Sequence, residues 1–236
     1  LKGLASRFER WILERATGFV FVSTQFRSDC ARHYRSLPPS IVSANCADTR
    51  VFDPELFDKA AIRRELGIPA DACVAGYVGG FVRWQRVQWF VSGMAPSRKQ
   101  HPKLVLLLVG DGVERAPVLE ICGRFGLANQ LVLPGKVRHE DVPRMIAAMD
   151  FAVLPDSNVF GSPMKLFEFM AMKVPVVAPD VPPIAEVVRN GETGWLFPRG
   201  DLAACIAQTL ATAGLGAGLS ATGSAAGAGL LPRGMV

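Results

Sequence analysis

Between residues 72 and 197 the chain repeats one unit: a short apolar run, a turn, then a longer stretch with apolar residues at helical spacing. Runs such as Leu104 to Val109 and Val174 to Ala178 show no polar alternation, the pattern of strands buried on both faces. They fall well short of the roughly 20 apolar residues a bilayer span requires. The pattern predicts strands over 73–78, 104–109, 130–133, 151–154, 174–178 and 194–197, and helices over 84–95, 114–125, 140–149, 163–172 and 183–189. Strands and helices in strict alternation predict an α/β fold, a Rossmann-like parallel sheet with helices on both faces.

The flanks are different. Leu4, Phe8, Trp11 and Ile12 recur at helical spacing, so residues 3 to 16 read as an amphipathic helix with Lys2, Arg7 and Arg10 outside the stripe. That stripe either faces a core or lies on a membrane surface. A strand at 19–22, a helix capped by Ser23 or Thr24 and ending near Tyr34, and a strand at Ile41 and Val42 follow. One β-α-β unit is too little for a domain, so residues 1–43 read as the remnant of a first Rossmann-like domain. Residues 44–71 are rich in turn formers with a short helix from Lys59 to Leu66, and read as a linker. Residues 72–212 form the main domain, with Asp201 placed to cap a last helix through about Ala211. The Gly, Ala, Ser and Leu of residues 213–236 predict a disordered tail.

Composition narrows the function classes. The five cysteines, Cys30, Cys46, Cys73, Cys122 and Cys205, never form a C-x-x-C pair, which suits thiols in a reducing cytosol. Together with three histidines lacking ligand spacing, this predicts no metal site. Net charge is +5, and residues 1–35 hold seven Lys or Arg against three acidic residues. That basic start suits anionic lipid or a phosphorylated acceptor; no aromatic-basic pattern supports nucleic acid. With Leu1 first and no cleavable leader pattern, the sequence reads as a fragment or processed chain, cytoplasmic or at the inner face of the cell membrane.

Open parallel sheets bind ligands at the carboxyl ends of their strands. Four turns there are glycine-rich or polar: Gly79-Gly80-Phe81, Gly110-Asp111-Gly112, Pro134-Gly135-Lys136-Val137, and Pro155 to Lys165. The last is the sharpest. Ser162 suits an N-cap and Pro163 the first helical position, which leaves the N–H groups of Met164 and Lys165 free to bind a diphosphate beside the Lys165 ammonium. Glu168 lies five residues beyond Pro163, roughly 7.5 Å along the axis at about 1.5 Å per residue. A carboxylate there suits two ribose hydroxyls, and a purely structural cap is the competing account.

These residues carry a resemblance. GYVGGF (76–81), LVLLLVGDG (104–112), LPGKVRHEDVP (133–143), DFAVLP (150–155), SPMKLFEFMAMKVPVVAP (162–179) and NGETGWLF (190–197) together resemble the carboxy-terminal, donor-binding domain of family 4 glycosyltransferases, which have the GT-B fold. SANCADTRVFDP (43–54) is similar to that family's interdomain linker, with Cys46 in place of its glycine. The resemblance implies that Gly79 and Gly80 line the donor phosphates, with Gly110 in the neighbouring turn. It implies that Gly135, Lys136 and Val137 contact the base, that Ser162, Pro163, Met164 and Lys165 cradle the diphosphate and sugar, and that Glu168 binds the ribose. Lys165 and Glu168 are then the residues nearest the chemistry, a retaining transfer in which the leaving diphosphate helps deprotonate the acceptor.

Three departures stand out. The first of the family's paired glutamates falls at Phe160, and its usual Arg and Lys fall at Gly80 and Gln85, leaving Arg83 or Arg86 to substitute. Pro96 interrupts a helix that normally runs on. The function implied is transfer of a sugar from a nucleotide-sugar donor to a polysaccharide, lipid-linked or small-molecule acceptor, without cofactor or metal. A non-catalytic nucleotide-binding or interaction module is the alternative.

Overall fold

The structure is a computed structural model that describes residues 2–34 and 36–215. Helix α1 (Lys2–Arg15), strand β1 (Phe19–Phe21), helix α2 (Thr24–His33) and strand β2 (Ser40–Val42) form the first unit. Its two strands pair in parallel around Leu13, Phe21, Cys30 and Tyr34. Ser23 caps α2, its hydroxyl accepting from the Phe26 N–H at 3.1 Å.

Helix α3 (Lys59–Glu65) leads into the main sheet. There follow β3 (Cys73–Val78), α4 (Val87–Met94), β4 (Leu104–Val109), α5 (Arg115–Phe125), β5 (Leu131–Gly135), α6 (Val142–Ala147), β6 (Phe151–Val153), α7 (Met164–Ala171), β7 (Val176–Asp180), α8 (Pro182–Ala185), β8 (Gly194–Pro198) and α9 (Leu202–Gly214). All six strands are parallel, in the order β5-β4-β3-β6-β7-β8.

Because successive strand side chains point to opposite faces, β4 feeds two cores at once. Val105, Leu107 and Val109 pack with Ile146, Leu166 and Phe169 of α6 and α7 on one face. Leu104, Leu106 and Leu108 pack with Phe90, Val118 and Cys205 of α4, α5 and α9 on the other. At roughly 1.5–3 kcal/mol per fully buried large apolar side chain, neither helix layer is dispensable. Phe52, Ile62 and Ile68 join the first core, so the segment before β3 packs as part of this layer.

Chain order fixes where a crevice opens. From β3 the chain runs outward to β4 and β5, then returns to β6 on the other side of β3. That reversal between β3 and β6 is the switch point at which open sheets hold ligands.

Several boundaries differ from the sequence reading. The helix expected over 84–95 starts at Val87, because Arg86 is left-handed at φ 56° and only a 3-10 turn precedes it. It ends at Met94, with Pro96 opening a 3-10 turn from Ala95 to Lys99. The helix expected over 140–149 is a 3-10 turn (His139–Asp141) followed by α6 with Pro143 in its first turn. β5 extends through Pro134, which an edge strand tolerates. β7 begins two residues late, since Lys173 at φ 56° and the bond from the Val174 N–H to the Phe169 carbonyl keep that stretch in the helix exit. Only three residues of the helix expected over 183–189 are α-helical, within the four-residue α8, and Val188 turns into the core. Asp201 does cap α9, accepting from the Ala204 N–H at 2.9 Å. That helix runs on through Ala213 and Gly214, which the sequence reading placed in a disordered tail; residues 216–236 of that tail lie outside the described residues.

Candidate functional site

The turn after β3 and the start of α7 after β6 meet at the switch point. Pro163, not Ser162, is the N-cap of α7: its ψ of 112° is extended, and no side chain caps the helix. The expectation of a Ser162 cap with Pro163 at the first helical position is thereby corrected. Ser162 is spent elsewhere, its hydroxyl accepting from the Asn45 N–H at 3.3 Å and its carbonyl from the Asn45 amide at 2.5 Å. The segment before α3 holds the serine away from the helix it was expected to cap. Met164 and Lys165 still occupy the first helical positions, where N–H groups have no carbonyl one turn back to bond.

Side chains in a helix lean toward its N-terminus, and Lys165 follows that rule across the crevice. Its Nζ donates to Gln85 Oε1 at 2.8 Å and lies 4.7 Å from the centre of the Tyr77 ring. Gly79 makes room for it: a Cβ there would lie 2.4 Å from Nζ, and φ is +149°. Lys165 as a residue is only half-buried, yet its ammonium sits in the crevice, and the surroundings of that charged end set its proton affinity. Burial lowers its pKa to about 8, against the opposing pull of Glu168. Glu168, one turn along α7, is buried, and burial raises its pKa while His139 and Lys165 pull it down. No hydrogen bond to its carboxylate is formed among the described residues.

The three glycine turns lie side by side at the carboxyl ends of β3, β4 and β5. The Gly79 N–H bonds the Val109 carbonyl at 3.0 Å, and the Gly110 N–H the Gly135 carbonyl at 2.9 Å. Gly110 has a packing reason to be glycine, since a Cβ would lie 1.9 Å from the Gly79 carbonyl oxygen. Gly80 is exposed and its carbonyl accepts from the Tyr77 hydroxyl at 2.9 Å. Lys136 is exposed beyond β5, and Val137 packs against the first core.

Of the two arginines expected to substitute in the first glycine turn, Arg83 is exposed and makes no ion pair among the described residues. Arg86 is committed to another partner. Its Nε lies 3.0 Å from Asp156 Oδ2, and its guanidinium covers the Trp89 ring at 5.4 Å. Arg199, after β8, holds the other oxygen of Asp156 at 2.8 Å. This buried carboxylate ties the loop after β6 to the turns after β3 and β8. Phe160 packs against the first unit, its carbonyl accepting from Ser23 Oγ at 2.8 Å and its ring 6.1 Å from that of Phe26. Glu186 accepts from the Thr24 and Gln25 N–H groups at 3.3 Å each, at the start of α2.

Sequence reasoning placed Gln85 where the family's lysine falls but not against Lys165, and it missed Tyr77, His139 and Asp156 as members of this neighbourhood. Tyr77 carried a weak signal, as the polar-tipped residue of an otherwise apolar strand. The contact of Gln85 with Lys165 spans 80 residues and leaves no local pattern.

Three hollows lie away from this crevice. One lined by Met94, Leu104, Leu127 and Leu210 has about 20 Å³ of free space, one along Lys59 to Ala70 about 570 Å³, and one between Leu66 and Leu131 about 370 Å³. They lie toward the amino ends of the strands. Among the described residues no three His, Cys, Asp or Glu side chains gather as a metal site, and no helix is long and apolar enough to cross a membrane.

The profile described as "Glycosyl transferases group 1" matches residues 72–213, more than half of the chain. The chain belongs to that family. It is 33% identical over 210 residues to the 2-deoxystreptamine N-acetyl-D-glucosaminyltransferase of Streptomyces fradiae, covering 85% of this chain and 48% of that protein. It is 27% identical over 197 residues to the alpha-D-kanosaminyltransferase of Streptomyces kanamyceticus, covering 83% and 50%. The chain thus spans about half the length of these curated relatives. In fold it is similar to HepE of Anabaena, solved in complex with UDP, at TM-score 0.77 and 22% identity over 92% of this chain and 59% of that one. The GT-B assignment of the fold agrees with the switch-point topology described above.

Proposed function

We propose that this chain is the donor-binding part of a glycosyltransferase, holding a nucleoside-diphosphate sugar across the crevice between β3 and α7. The observation that carries the reading is the Lys165 ammonium. It is a buried cation without a carboxylate in ion-pair contact among the described residues, placed beside a glycine turn and free helix N–H groups. A desolvated, unneutralised cation is costly unless an anion completes it. A diphosphate supplies that anion, and the Glu168 carboxylate, with no protein donor of its own, supplies acceptors for ribose hydroxyls. The UDP complex of a protein with the same fold supports this choice of ligand.

In this reading Gly79 and Gly80 border the phosphates, Gly135 to Val137 border the base, and stabilisation of the leaving diphosphate is the main contribution to transfer. No metal or cofactor takes part. The acceptor is a polysaccharide, a lipid-linked sugar or a small molecule, and the unpaired thiols suit a reducing, cytoplasmic setting. Helix α1 exposes Leu4, Phe8, Trp11 and Ile12. The parallel β1–β2 pair beside it, with Val20 and Ile41 exposed, favours further protein as the cover for this face. Contact with anionic lipid through Arg7, Arg10 and Arg15 is the competing use, and co-sedimentation of the chain with anionic vesicles would detect it.

Calorimetry with UDP and with GDP tests the donor site directly. One of them binds the folded chain, and Glu168→Ala weakens that binding by roughly 10–100-fold, the loss of hydrogen bonds to a charged group. A folded chain that binds neither nucleotide would sink the proposal.

A further inference from the structure

The acceptor that directs the Lys165 ammonium is a neutral amide, although a carboxylate is the ordinary partner for a buried cation. Gln85 is itself 9% exposed, and its Oε1 accepts from Lys165 Nζ and lies against the Tyr77 hydroxyl, whose single proton it shares with the Gly80 carbonyl. Tyr77 is held within β3 at 1% exposure. At Gly79 a Cβ would meet Nζ at 2.4 Å and Gln85 Oε1 at 3.1 Å, so ammonium and amide together fill the space the glycine leaves.

The charged groups around this point leave the ammonium without an ion pair. Glu168 is on the same helix, facing His139 as well as Lys165. On the turn after β3, Arg86 is paired with Asp156, and Arg83 points to solvent. Glu114, which bears on Tyr77 electrostatically, accepts from the Gln88 N–H at 3.1 Å. None forms an ion pair with Lys165 among the described residues. An amide oxygen can aim an ammonium without cancelling its charge, whereas a carboxylate at the same place would do both.

We propose that Gln85 is a positioning residue, fixed by the Tyr77 hydroxyl, whose neutral oxygen aims the Lys165 ammonium at the Gly79 turn and leaves its charge available to an anion carrying two phosphoryl groups. This rests on the donor-site reading and goes beyond it, assigning a task to the amide that stands where the family's lysine falls.

The test is calorimetry of the 236-residue chain with UDP, GDP and inorganic pyrophosphate on both sides of about pH 8, where the Lys165 ammonium loses its proton. Wild-type affinity is level below that pH and falls above it. Gln85→Glu neutralises the ammonium internally, so binding weakens about tenfold at neutral pH and the fall moves to higher pH. Gln85→Met keeps the charge but loses its direction, so binding weakens with the fall unmoved; it carries the test should thermal unfolding show that Gln85→Glu does not fold. Lys165→Met abolishes the pH step.

Wild-type affinity and an unmoved pH step in Gln85→Glu, or in its absence wild-type affinity in Gln85→Met, would overturn the inference while leaving the donor site standing. A folded wild type that binds none of the three probes would overturn both.

Discussion

The main sheet holds a charge cluster at each end, and the two are built on opposite plans. At the amino end, Asp150 accepts from Lys59 at 2.7 Å, from Arg63 at 2.6 Å and from the Val74 N–H at 2.7 Å. Arg63 spends its other donors on the Ala148 and Ala72 carbonyls. Burial alone would push the Asp150 carboxyl up, but the Lys59 ammonium, the Val74 N–H and the Arg63 guanidinium outweigh it and hold it below its ordinary range. At the carboxyl end, Lys165 has an amide, Glu168 has no protein donor, and burial moves each toward its neutral form. A closed cluster stabilises the fold, whereas an open one leaves its partners to be supplied by a ligand.

The difference can be broken from either side. Arg63→Met leaves Asp150 with only Lys59 and the Val74 N–H, frees the Ala148 and Ala72 carbonyls, and is expected to cost about 1–3 kcal/mol in urea unfolding, with nucleotide affinity per folded molecule unchanged. The same cluster has an acid limit. A depressed folded pKa means that its stabilisation is complete above the unfolded carboxylate value of about 3.9 and is lost as pH falls through the folded value. Arg63→Met therefore narrows the stability gap to wild type in strong acid, as unfolding curves across that range would record.

Lys165→Met acts in the contrary sense, removing a buried cation that the apo protein does not neutralise. The variant is expected to unfold at a higher temperature than wild type near neutral pH while binding UDP or GDP at least about tenfold more weakly. The pH dependence gives the sign. Between about pH 8 and the ordinary lysine range the unfolded chain binds the extra proton, so wild-type stability gains a rising contribution there, and Lys165→Met lacks it. A variant less stable than wild type at neutral pH would place Lys165 with the closed cluster.

Ser162→Ala is the smallest perturbation. Because the hydroxyl bonds Asn45 and does not cap α7, roughly 0.5–1.5 kcal/mol is at stake, and helix content by circular dichroism stays unchanged. Loss of helicity would reinstate the cap that the sequence suggested.

Much of the fold was legible because it is local. The apolar run at Leu104 to Val109 and the Asp201 cap each act within a few residues. Boundaries failed where a distant contact outweighed a local preference. Asn45 took Ser162 from its helix, and Asp156 with Trp89 accompanies an Arg86 whose backbone is left-handed at φ 56°. The heptad from Ser162 to Glu168 was visible as a site, but the reach of Lys165 to Gln85 was not, since neither residue's sequence neighbours refer to the other.

The sequence by itself determined that strands and helices alternate, that the sheet is parallel and covered on both faces, and that glycine turns and a helix start end its strands. Only the tertiary structure decided that β6 returns beside β3 and sets the α7 start against the Gly79 turn. Periodicity and turn chemistry are properties of adjacent residues, whereas strand order and the company a buried charge keeps are decided by contacts between segments that meet only when the chain has folded.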